Sequence, residues 1–250
     1  CWRSEPEAAR LLSTGTRLAV SVAPRSVDEI SVLYSSAISA GADLVEVRLD
    51  ALRSPAPGSI ADVLGGLECH RLMLTYRSQE EGGLGGPIDD QALDLLDRAS
   101  DACQGSLLDA EISSIRRLGA LRDLVLSRRD SVVVSRHHAA MPSIEEATSE
   151  YHEMADVGRY VKLVFPASSP IDNLLPISLY GALDPGRLIS FCSGVHGIIS
   201  RLMSASLGAP IAYTSLPGRP LAEGQLPPGE FASLVEAIAS SLGRRRGTII

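Results

Sequence analysis

RYVKLVF, residues 159–165, is a short run of β-branched and bulky apolar residues that is interrupted by one lysine, Lys162. Such a run between polar turn segments is typical of a buried β-strand. Seven further runs of the same kind occur along the chain, and each is followed by a longer segment with helical periodicity. They are residues 17–22, 43–48, 71–76, 106–111, 131–136, 187–192 and 210–214. Eight βα units in succession predict a parallel sheet closed into a (β/α)8 TIM barrel.

The segments between these strands agree with that order. Ser26-x-x-Glu29 and Ser143-x-x-Glu146 have the spacing of a capping box and predict helix starts after the first and fifth strands. The sequence has no internal repeat and no linker, so we expect one barrel domain over residues 1–250. Its ends, at about 1–15 and 243–250, are expected to be loosely held.

The charge balance excludes several functional classes. Lys plus Arg number 23 and Asp plus Glu number 30, so the net charge is 23 − 30 = −7. An acidic chain argues against a general binder of nucleic acid or of acidic membranes. No apolar run reaches the roughly 18 residues that span a bilayer. We therefore expect a small polar substrate, no nucleic-acid partner and no membrane partner.

The cysteines and histidines give no metal motif. The four cysteines have no C-x-x-C spacing; they are Cys1, Cys69, Cys103 and Cys192. This scatter predicts neither a disulfide framework nor a zinc site, and it favours a reducing, cytoplasmic location. His152-Glu153 lacks the second histidine of an H-E-x-x-H motif. We expect no metal.

Lys162 is the only lysine in the chain, beside 22 arginines. A guanidinium stays protonated and cannot act as an amine nucleophile, so chemistry that needs an amine has to retain a lysine. The apolar residues around Lys162 should desolvate its ammonium and lower its pKa. A neutral amine attacks a ketone to give an iminium, which acidifies the adjacent carbon. We predict that Lys162 is a Schiff-base nucleophile; the alternative is a leftover surface lysine.

A Schiff-base lysine needs a general base. His137 lies at the end of the preceding predicted strand, and imidazole can take and return a proton near neutral pH. The adjacent His138 is expected to point away. Either Glu81 or its neighbour Glu80 could hold the histidine in a useful tautomer, and the residues alone do not decide between them.

Charged side chains near other predicted strand ends complete the candidate site. Strand alternation puts Glu46 and Arg48 on one face, where they contact substrate or form a structural ion pair. Together with Arg77 and Arg201, Arg48 would bring several guanidiniums to one mouth, which suits bidentate capture of a carboxylate. The turn at residues 194–197 leaves a phosphorylated ligand as an alternative.

These segments together resemble the type I 3-dehydroquinate dehydratases over roughly residues 16–240. EVRLD at 46–50 looks like the family's E-x-R-x-D strand, and YRSQEEGG at 76–83 is similar to its F-R-S-x-x-E-G-G segment. VSRH at 134–137 and VK at 161–162 resemble the segments that hold the catalytic histidine and the Schiff-base lysine. Two more similar segments are GIISR at 197–201, whose arginine binds substrate carboxylate, and GQ at 224–225, the end of a closing loop.

The resemblance implies a reaction and a set of contacts. Lys162 would condense with the ketone of 3-dehydroquinate, His137 would remove a neighbouring proton, and water would leave to give 3-dehydroshikimate. The alignment selects Glu81 over Glu80 as the residue that orients His137. The substrate contacts that it implies are Ser21, Glu46, Arg48, Arg77, Arg201 and Gln225. It also implies an enzyme without a cofactor, often a homodimer, in the shikimate route to aromatic amino acids.

Two departures from the family pattern stand out. Leu221 replaces the serine that usually lies four residues before the loop glutamine, and His138 replaces an acidic or small residue. Two other functions remain open at this point. A class I aldolase would use the same iminium to break a carbon–carbon bond, and a non-catalytic relative would bind a carboxylate without turnover.

Overall fold

The computed structural model describes residues 15–53 and 57–245, in which eight parallel strands form one sheet. The strands are β1 (Arg17–Val22), β2 (Leu44–Arg48), β3 (Leu72–Thr75), β4 (Leu107–Glu111), β5 (Val132–His137), β6 (Tyr160–Pro166), β7 (Leu188–Ser193) and β8 (Ile211–Ser215). Each predicted strand begins and ends within one residue of an observed strand. The fold is the single-domain (β/α)8 barrel that the sequence predicts. Residues 1–14 and 246–250 lie outside the described part, so the expectation of loosely held ends stays a prediction.

Helices connect the strands and cover the outer face of the sheet. The α-helices in the described ranges are α1 (Val27–Ser39), α2 (Pro57–Gly65), α3 (Asp90–Ala102), α4 (Ile112–Arg117), α5 (Gly119–Ser127), α6 (Ile144–Ala155), α7 (Leu174–Leu179), α8 (Ile198–Ser206) and α9 (Pro228–Arg245). None of these helices is both long enough and apolar enough to cross a membrane.

Strand order follows chain order from β1 to β7, and β8 pairs with β1. The register puts Ser21 beside Glu46 and Ser135 beside Lys162. Among the described residues no hydrogen-bonded ladder joins β7 to β8, so the barrel is nearly closed rather than fully closed. Side chains make the contact there instead: the rings of Phe191 and Tyr213 lie 6.1 Å apart, centroid to centroid.

Alternation along the strands separates two apolar cores. On β6, Val161 and Phe165 are fully buried in the layer between sheet and helices, whereas Val164 belongs to the cluster inside the barrel. Complete burial of a side chain such as Phe165 contributes roughly 1.5–3 kcal/mol. Lys162 has the same parity as Val164 and is 4% exposed, so its amine lies inside the barrel. The alternative of a leftover surface lysine is therefore wrong.

One of the two predicted capping boxes forms. Ser143 accepts from the backbone N–H of Glu146, and Glu146 Oε2 accepts from the N–H of Ser143 at 2.7 Å. The predicted helix start after β1 is confirmed, because Ser26 is the N-cap residue of α1, but no capping box forms there, because the Ser26 side chain makes no cap hydrogen bond. Glu29 reaches one residue further and accepts from the N–H of Arg25 at 2.7 Å.

A disulfide joins Cys69 and Cys103, whose Cα atoms are 5.1 Å apart across a sequence separation of 34. The prediction that the cysteines form no disulfide was therefore wrong. Cys69 lies in the turn before β3, and Cys103 follows the last residue of α3. The end of α3 therefore lies beside the start of β3, and the disulfide joins the two ends of this βα unit. The cysteine pattern thus no longer supports a reducing compartment.

We expect denatured, unreduced protein to alkylate two of its four cysteines, and reduced protein to alkylate all four. Intact-mass spectrometry after iodoacetamide treatment counts the labels. Cys69→Ser should give three labels without reduction and lose roughly 3–4 kcal/mol of stability, because the closed loop no longer restricts the unfolded chain. Four labels on the unreduced parent protein would contradict the bond.

Candidate active site

One cavity of about 610 Å³, counted to its open mouth, lies at the carboxyl ends of the strands. This is the end of a (β/α)8 barrel that carries the loops and the chemistry. The nine residues proposed from the sequence all line it: Ser21, Glu46, Arg48, Arg77, Glu81, His137, Lys162, Arg201 and Gln225. The rest of the lining is Gly82, Val164, Phe191, Ser193, Tyr213, Leu221 and Ala222.

The amine of Lys162 lies at the bottom of this cavity beside two carboxylates. Its Nζ donates to Asp109 Oδ2 at 3.1 Å and lies 3.8 Å from Glu46 Oε1. The Tyr213 ring centroid is 3.9 Å from Nζ on another side. Burial lowers the pKa of Lys162 below its ordinary value, although both carboxylates oppose the shift. The amine therefore loses its proton more easily than a solvated lysine, as a carbonyl nucleophile requires.

Arg77 is the cation around which the buried carboxylates gather. Its guanidinium donates to Asp109 at 2.7 Å, to Glu111 at 3.2 Å and to Glu81 at 3.3 Å. Burial opposes the charge, but these carboxylates raise the pKa of Arg77 above its usual value. Since its Nη atoms donate to protein acceptors, Arg77 balances charge beneath the substrate space as well as lining it.

Asp109 is held ionised by two cations. Burial alone would raise its pKa, but Arg77 and Lys162 lower the pKa of Asp109 to about 2. Ser135 Oγ also donates to Asp109 Oδ1 at 2.6 Å. A carboxylate fixed by three donors keeps the Lys162 amine in one position.

Glu46 is held by hydroxyl groups on the two neighbouring strands. Ser21 Oγ donates to its Oε2 at 2.5 Å, and Thr75 Oγ1 donates to its Oε1 at 3.0 Å. The sequence left open a Glu46–Arg48 pair or substrate contact. Arg48 instead forms a bidentate pair with Asp50, at 2.8 Å and 2.6 Å, so Glu46 faces Lys162.

His137 lies at the rim of the cavity with Glu81 behind it. Its backbone N–H donates to Glu81 Oε2 at 2.9 Å, and its Nδ1 lies 3.4 Å from the same oxygen. Burial lowers the pKa of His137 well below its ordinary value, and the cations Arg77 and Lys162 add to the shift. The imidazole is therefore neutral near pH 7, and Nδ1–H directed at Glu81 would leave Nε2 free as a base.

The structure distinguishes the two adjacent glutamates. Glu81 is 5% exposed and receives the His137 N–H, whereas the Glu80 side chain is 59% exposed and lies 3.6 Å from Arg117. Burial and the nearby Glu111 raise the pKa of Glu81, while Arg77 and hydrogen bonds hold it down. Its ionised state thus depends on the donors around it.

Arg201 differs from the other two arginines of the cavity because no carboxylate pairs with it among the described residues. Its guanidinium lies 4.3 Å from the Phe191 ring centroid, and its Nε has no hydrogen-bond partner in that part of the chain. Burial lowers the pKa of Arg201 to about 10. A buried, unpaired guanidinium beside an open cavity is suited to bind an anion.

The loop after β8 covers one side of the cavity. Gln225 Oε1 accepts from the N–H groups of Leu221 and Ala222, at 3.0 Å and 3.1 Å. Leu221, the residue that departs from the family pattern, lines the cavity and is 41% exposed. The glutamine therefore shapes this loop from within through its carbonyl oxygen.

Residues not proposed from the sequence also belong to the site. Asp109 and Glu111 could be recognised as polar strand-end residues, but their contact with Lys162 and Arg77 depends on side-chain direction. Tyr213 resembled an ordinary strand aromatic. His138 lies outside the cavity: its Nε2 is 2.8 Å from Glu150, and its ring stacks on Phe165.

Comparison with known proteins identifies relatives over most of the chain. A family model described as "Type I 3-dehydroquinase" matches residues 18–241. The 3-dehydroquinate dehydratase of Methanothermobacter thermautotrophicus is 28% identical over 211 residues, which are 84% of this chain and 92% of the relative. That of Thermococcus gammatolerans is 33% identical over 196 residues, 78% of this chain and 87% of the relative.

Solved structures agree on the architecture. The crystal structure of 3-dehydroquinate dehydratase from Geobacillus kaustophilus aligns with a TM-score of 0.79 at 20% identity, covering 90% of this chain and 91% of that chain. At this identity the likeness concerns the fold alone. The enzyme from Aquifex aeolicus aligns with a TM-score of 0.67 at 26% identity, covering 89% of this chain and 98% of the other.

Two glycines allow the turn that brings Glu81 back to Arg77. Gly82 has φ +81°, in the left-handed region that favours glycine. At Gly83, a Cβ atom would overlap the carbonyl of Arg77. The N–H of Gly83 bonds Ser78 O at 2.8 Å, which closes the turn.

We expect Gly83→Ala to separate this turn from Arg77 and to destabilise the protein by roughly 1–3 kcal/mol, as overpacking does. For a chain of this size that corresponds to a Tm lowered by about 2–12 °C. Gly86→Ala is the matched control, since a Cβ there meets nothing within 4 Å. Thermal melts compare the two, and equal Tm values would contradict the packing argument.

Proposed function

The chain belongs to the type I 3-dehydroquinase family, and we propose that it dehydrates 3-dehydroquinate to 3-dehydroshikimate through a Schiff base on Lys162. One observation carries the proposal: the only lysine of the chain is buried in the cavity with a lowered pKa. The same cavity holds a neutral imidazole and a guanidinium that has no acidic partner within residues 15–53 and 57–245. An amine nucleophile, a base and an anion site are what this reaction needs.

Substrate binding would begin at Arg201. Its unpaired guanidinium would take the substrate carboxylate, which restores a partner to a buried charge. Arg48, fixed by Asp50, would face the hydroxyl groups of the ring together with Ser21, Glu46 and Gln225. Arg77 would act mainly through the electrostatics of the site, because its Nη atoms already donate to carboxylates.

The neutral amine of Lys162 would then attack the ketone carbon. The carbinolamine loses water and leaves an iminium, which draws electrons from the adjacent carbon. Asp109 and Glu46 would stabilise the positive nitrogen, since their carboxylate oxygens lie 3.1 Å and 3.8 Å from Nζ. The same contacts would orient the amine before attack.

His137 would transfer the protons. Its Nε2 takes the proton from the carbon beside the iminium, giving an enamine. The enamine electron pair expels the hydroxyl group on the next carbon, and the imidazolium returns its proton so that water leaves. Water then hydrolyses the conjugated iminium, which frees Lys162. One water is lost overall from 3-dehydroquinate.

The wider setting is also part of the proposal. We place the enzyme in the shikimate route to aromatic amino acids, as a cytoplasmic homodimer that uses no cofactor. The family resemblance supports the pathway, the homodimer and the absence of a cofactor. The cytoplasmic location was inferred from the scattered cysteines, and the Cys69–Cys103 disulfide weighs against a strongly reducing compartment. Within residues 15–53 and 57–245, no group of three or more His, Cys, Asp or Glu side chains is arranged to hold a metal ion.

We expect Lys162→Arg to abolish conversion of 3-dehydroquinate while the fold persists, because charge and approximate length remain but the nucleophile is lost. The ultraviolet absorbance of the conjugated product follows the reaction, and circular dichroism follows the fold. Arg98→Lys, an exposed residue paired with Asp94, introduces an amine elsewhere and should leave the rate unchanged. Turnover by folded Lys162→Arg would exclude the Schiff-base mechanism. A parent protein that cleaves a sugar phosphate but leaves 3-dehydroquinate intact would favour an aldolase.

We expect His137→Ala to lower kcat by roughly 10²–10⁴, the usual contribution of a general acid–base group. His138→Ala is the matched control because His138 faces Glu150 rather than the cavity. Steady-state kinetics of both variants give the comparison. A larger loss in His138→Ala than in His137→Ala would reverse the assignment.

A further inference from the structure

We infer that Arg136 is a positioning residue that holds the carboxylate of Glu81 against His137 from outside the barrel. The inference rests on the proposed function for its catalytic consequence, and it adds a residue that never touches the substrate cavity. Arg136 lies on β5 between Ser135 and His137, and it does not line the cavity.

The two carboxylate oxygens of Glu81 have different hydrogen-bond partners. Oε2 accepts the His137 N–H, lies 3.4 Å from His137 Nδ1 and faces Arg77 at 3.3 Å. Oε1 accepts from Ser113 Oγ at 2.7 Å and from Arg136 Nη1 at 3.2 Å. Removing the Oε1 donors would let the carboxylate rotate away from the imidazole. Arg136 supplies the only cation on this oxygen among the described residues.

Charge balance gives Arg136 a second effect. Four carboxylates are buried around Arg77 and the Lys162 amine: Glu81, Asp109 and Glu111 contact Arg77, and Asp109 and Glu46 lie beside Lys162 Nζ. Nucleophilic attack requires that amine to be neutral, which leaves Arg77 as the cation in direct contact with Asp109, Glu111 and Glu81. Arg136 is, with Arg77, one of two arginines in contact with Glu81 among the described residues, so it favours an ionised Glu81 at the moment when Lys162 carries no charge.

A carboxylate on the outer surface lies near Arg136. Its Nε lies 3.9 Å from Glu150 Oε1 on α6, and Glu150 Oε2 lies 2.8 Å from His138 Nε2. Arg116 of α4 approaches Glu150 at 4.0 Å. Both Arg136 and His138 flank the base His137 in sequence.

The groups that face Glu81 come from four elements. They are Arg77 from the turn after β3, Glu111 from β4, Ser113 from α4, and Arg136 and His137 from β5. Loss of Arg136 removes a positive charge, so Glu81 would take up its proton at a higher pH. Because His137 needs ionised Glu81, the fall of kcat on acidification would begin at a higher pH.

The test compares Arg136→Met with Arg136→Lys. We expect Arg136→Met to lower kcat about 10-fold, because this variant loses the hydrogen bond from the charged guanidinium to Glu81 Oε1. KM should change little, because the residue lies outside the cavity, and the acidic limb of the kcat profile should move to higher pH. Arg136→Lys keeps the charge and should return the acidic limb toward the parent position. Arg98→Met, which loses an exposed pair with Asp94 and has no contact with Glu150 or Glu81, should behave as the parent protein.

A measurement without substrate separates this inference from the proposed function. Nitrogen-15 NMR of the histidines, with His137 assigned through His137→Ala, reads the ring tautomer directly. We expect Nδ1–H in the parent and a mixture of tautomers in Arg136→Met. A parent enzyme that leaves 3-dehydroquinate unchanged would defeat the function, yet the tautomer would still decide the role of Arg136. An unchanged tautomer together with a parent-like acidic limb in Arg136→Met would overturn the inference.

Discussion

The guanidinium of Arg77 is buried among Asp109, Glu111 and Glu81, and the geometry of the active site depends on that cluster. A buried carboxylate without a partner is strongly destabilising, so each of the three is fixed where Arg77 can reach it. Asp109 in turn holds the Lys162 amine, and Glu81 holds His137. The proposed nucleophile and the proposed base are therefore positioned by one cation that comes from the turn after β3. The two glycines of that turn allow this approach, which links a backbone requirement to the chemistry.

The three arginines of the cavity have different tasks because their partners differ. Arg77 is neutralised by the protein, and Arg48 is paired with Asp50 in a planar, bidentate contact. Arg201 rests on Phe191 without an acidic partner in the described residues, and burial lowers its pKa. A site that leaves one guanidinium free and satisfies the others selects a ligand with a single strong anionic group. This division argues for a carboxylate substrate more directly than the number of arginines does.

Much of the fold and of the site could be predicted from the sequence, because both depend on local pattern. Buried parallel strands are short apolar runs, so the bounds of all eight strands were predicted to within one residue. Residues at the carboxyl ends of the strands lie close together in any such barrel, so the candidate site residues could be predicted as well. Features that depend on distance in space were missed. Cys69 and Cys103 meet only because α3 returns along β3, and Glu29 bonds Arg25 rather than Ser26. The contacts of Asp109 and Tyr213 with Lys162 depend on which side chains the strand register brings together.

In the proposed mechanism, Lys162 forms a covalent iminium with 3-dehydroquinate. The direct measurement is borohydride reduction of the protein with that compound, followed by intact-mass analysis and peptide mapping. Because the chain has one lysine, a stable adduct has almost no alternative site in a side chain. The Schiff-base mechanism predicts one adduct per chain, located on the peptide that contains Lys162 and absent from Lys162→Arg. Folded parent protein that turns over 3-dehydroquinate but yields no adduct, or an adduct elsewhere, would contradict it.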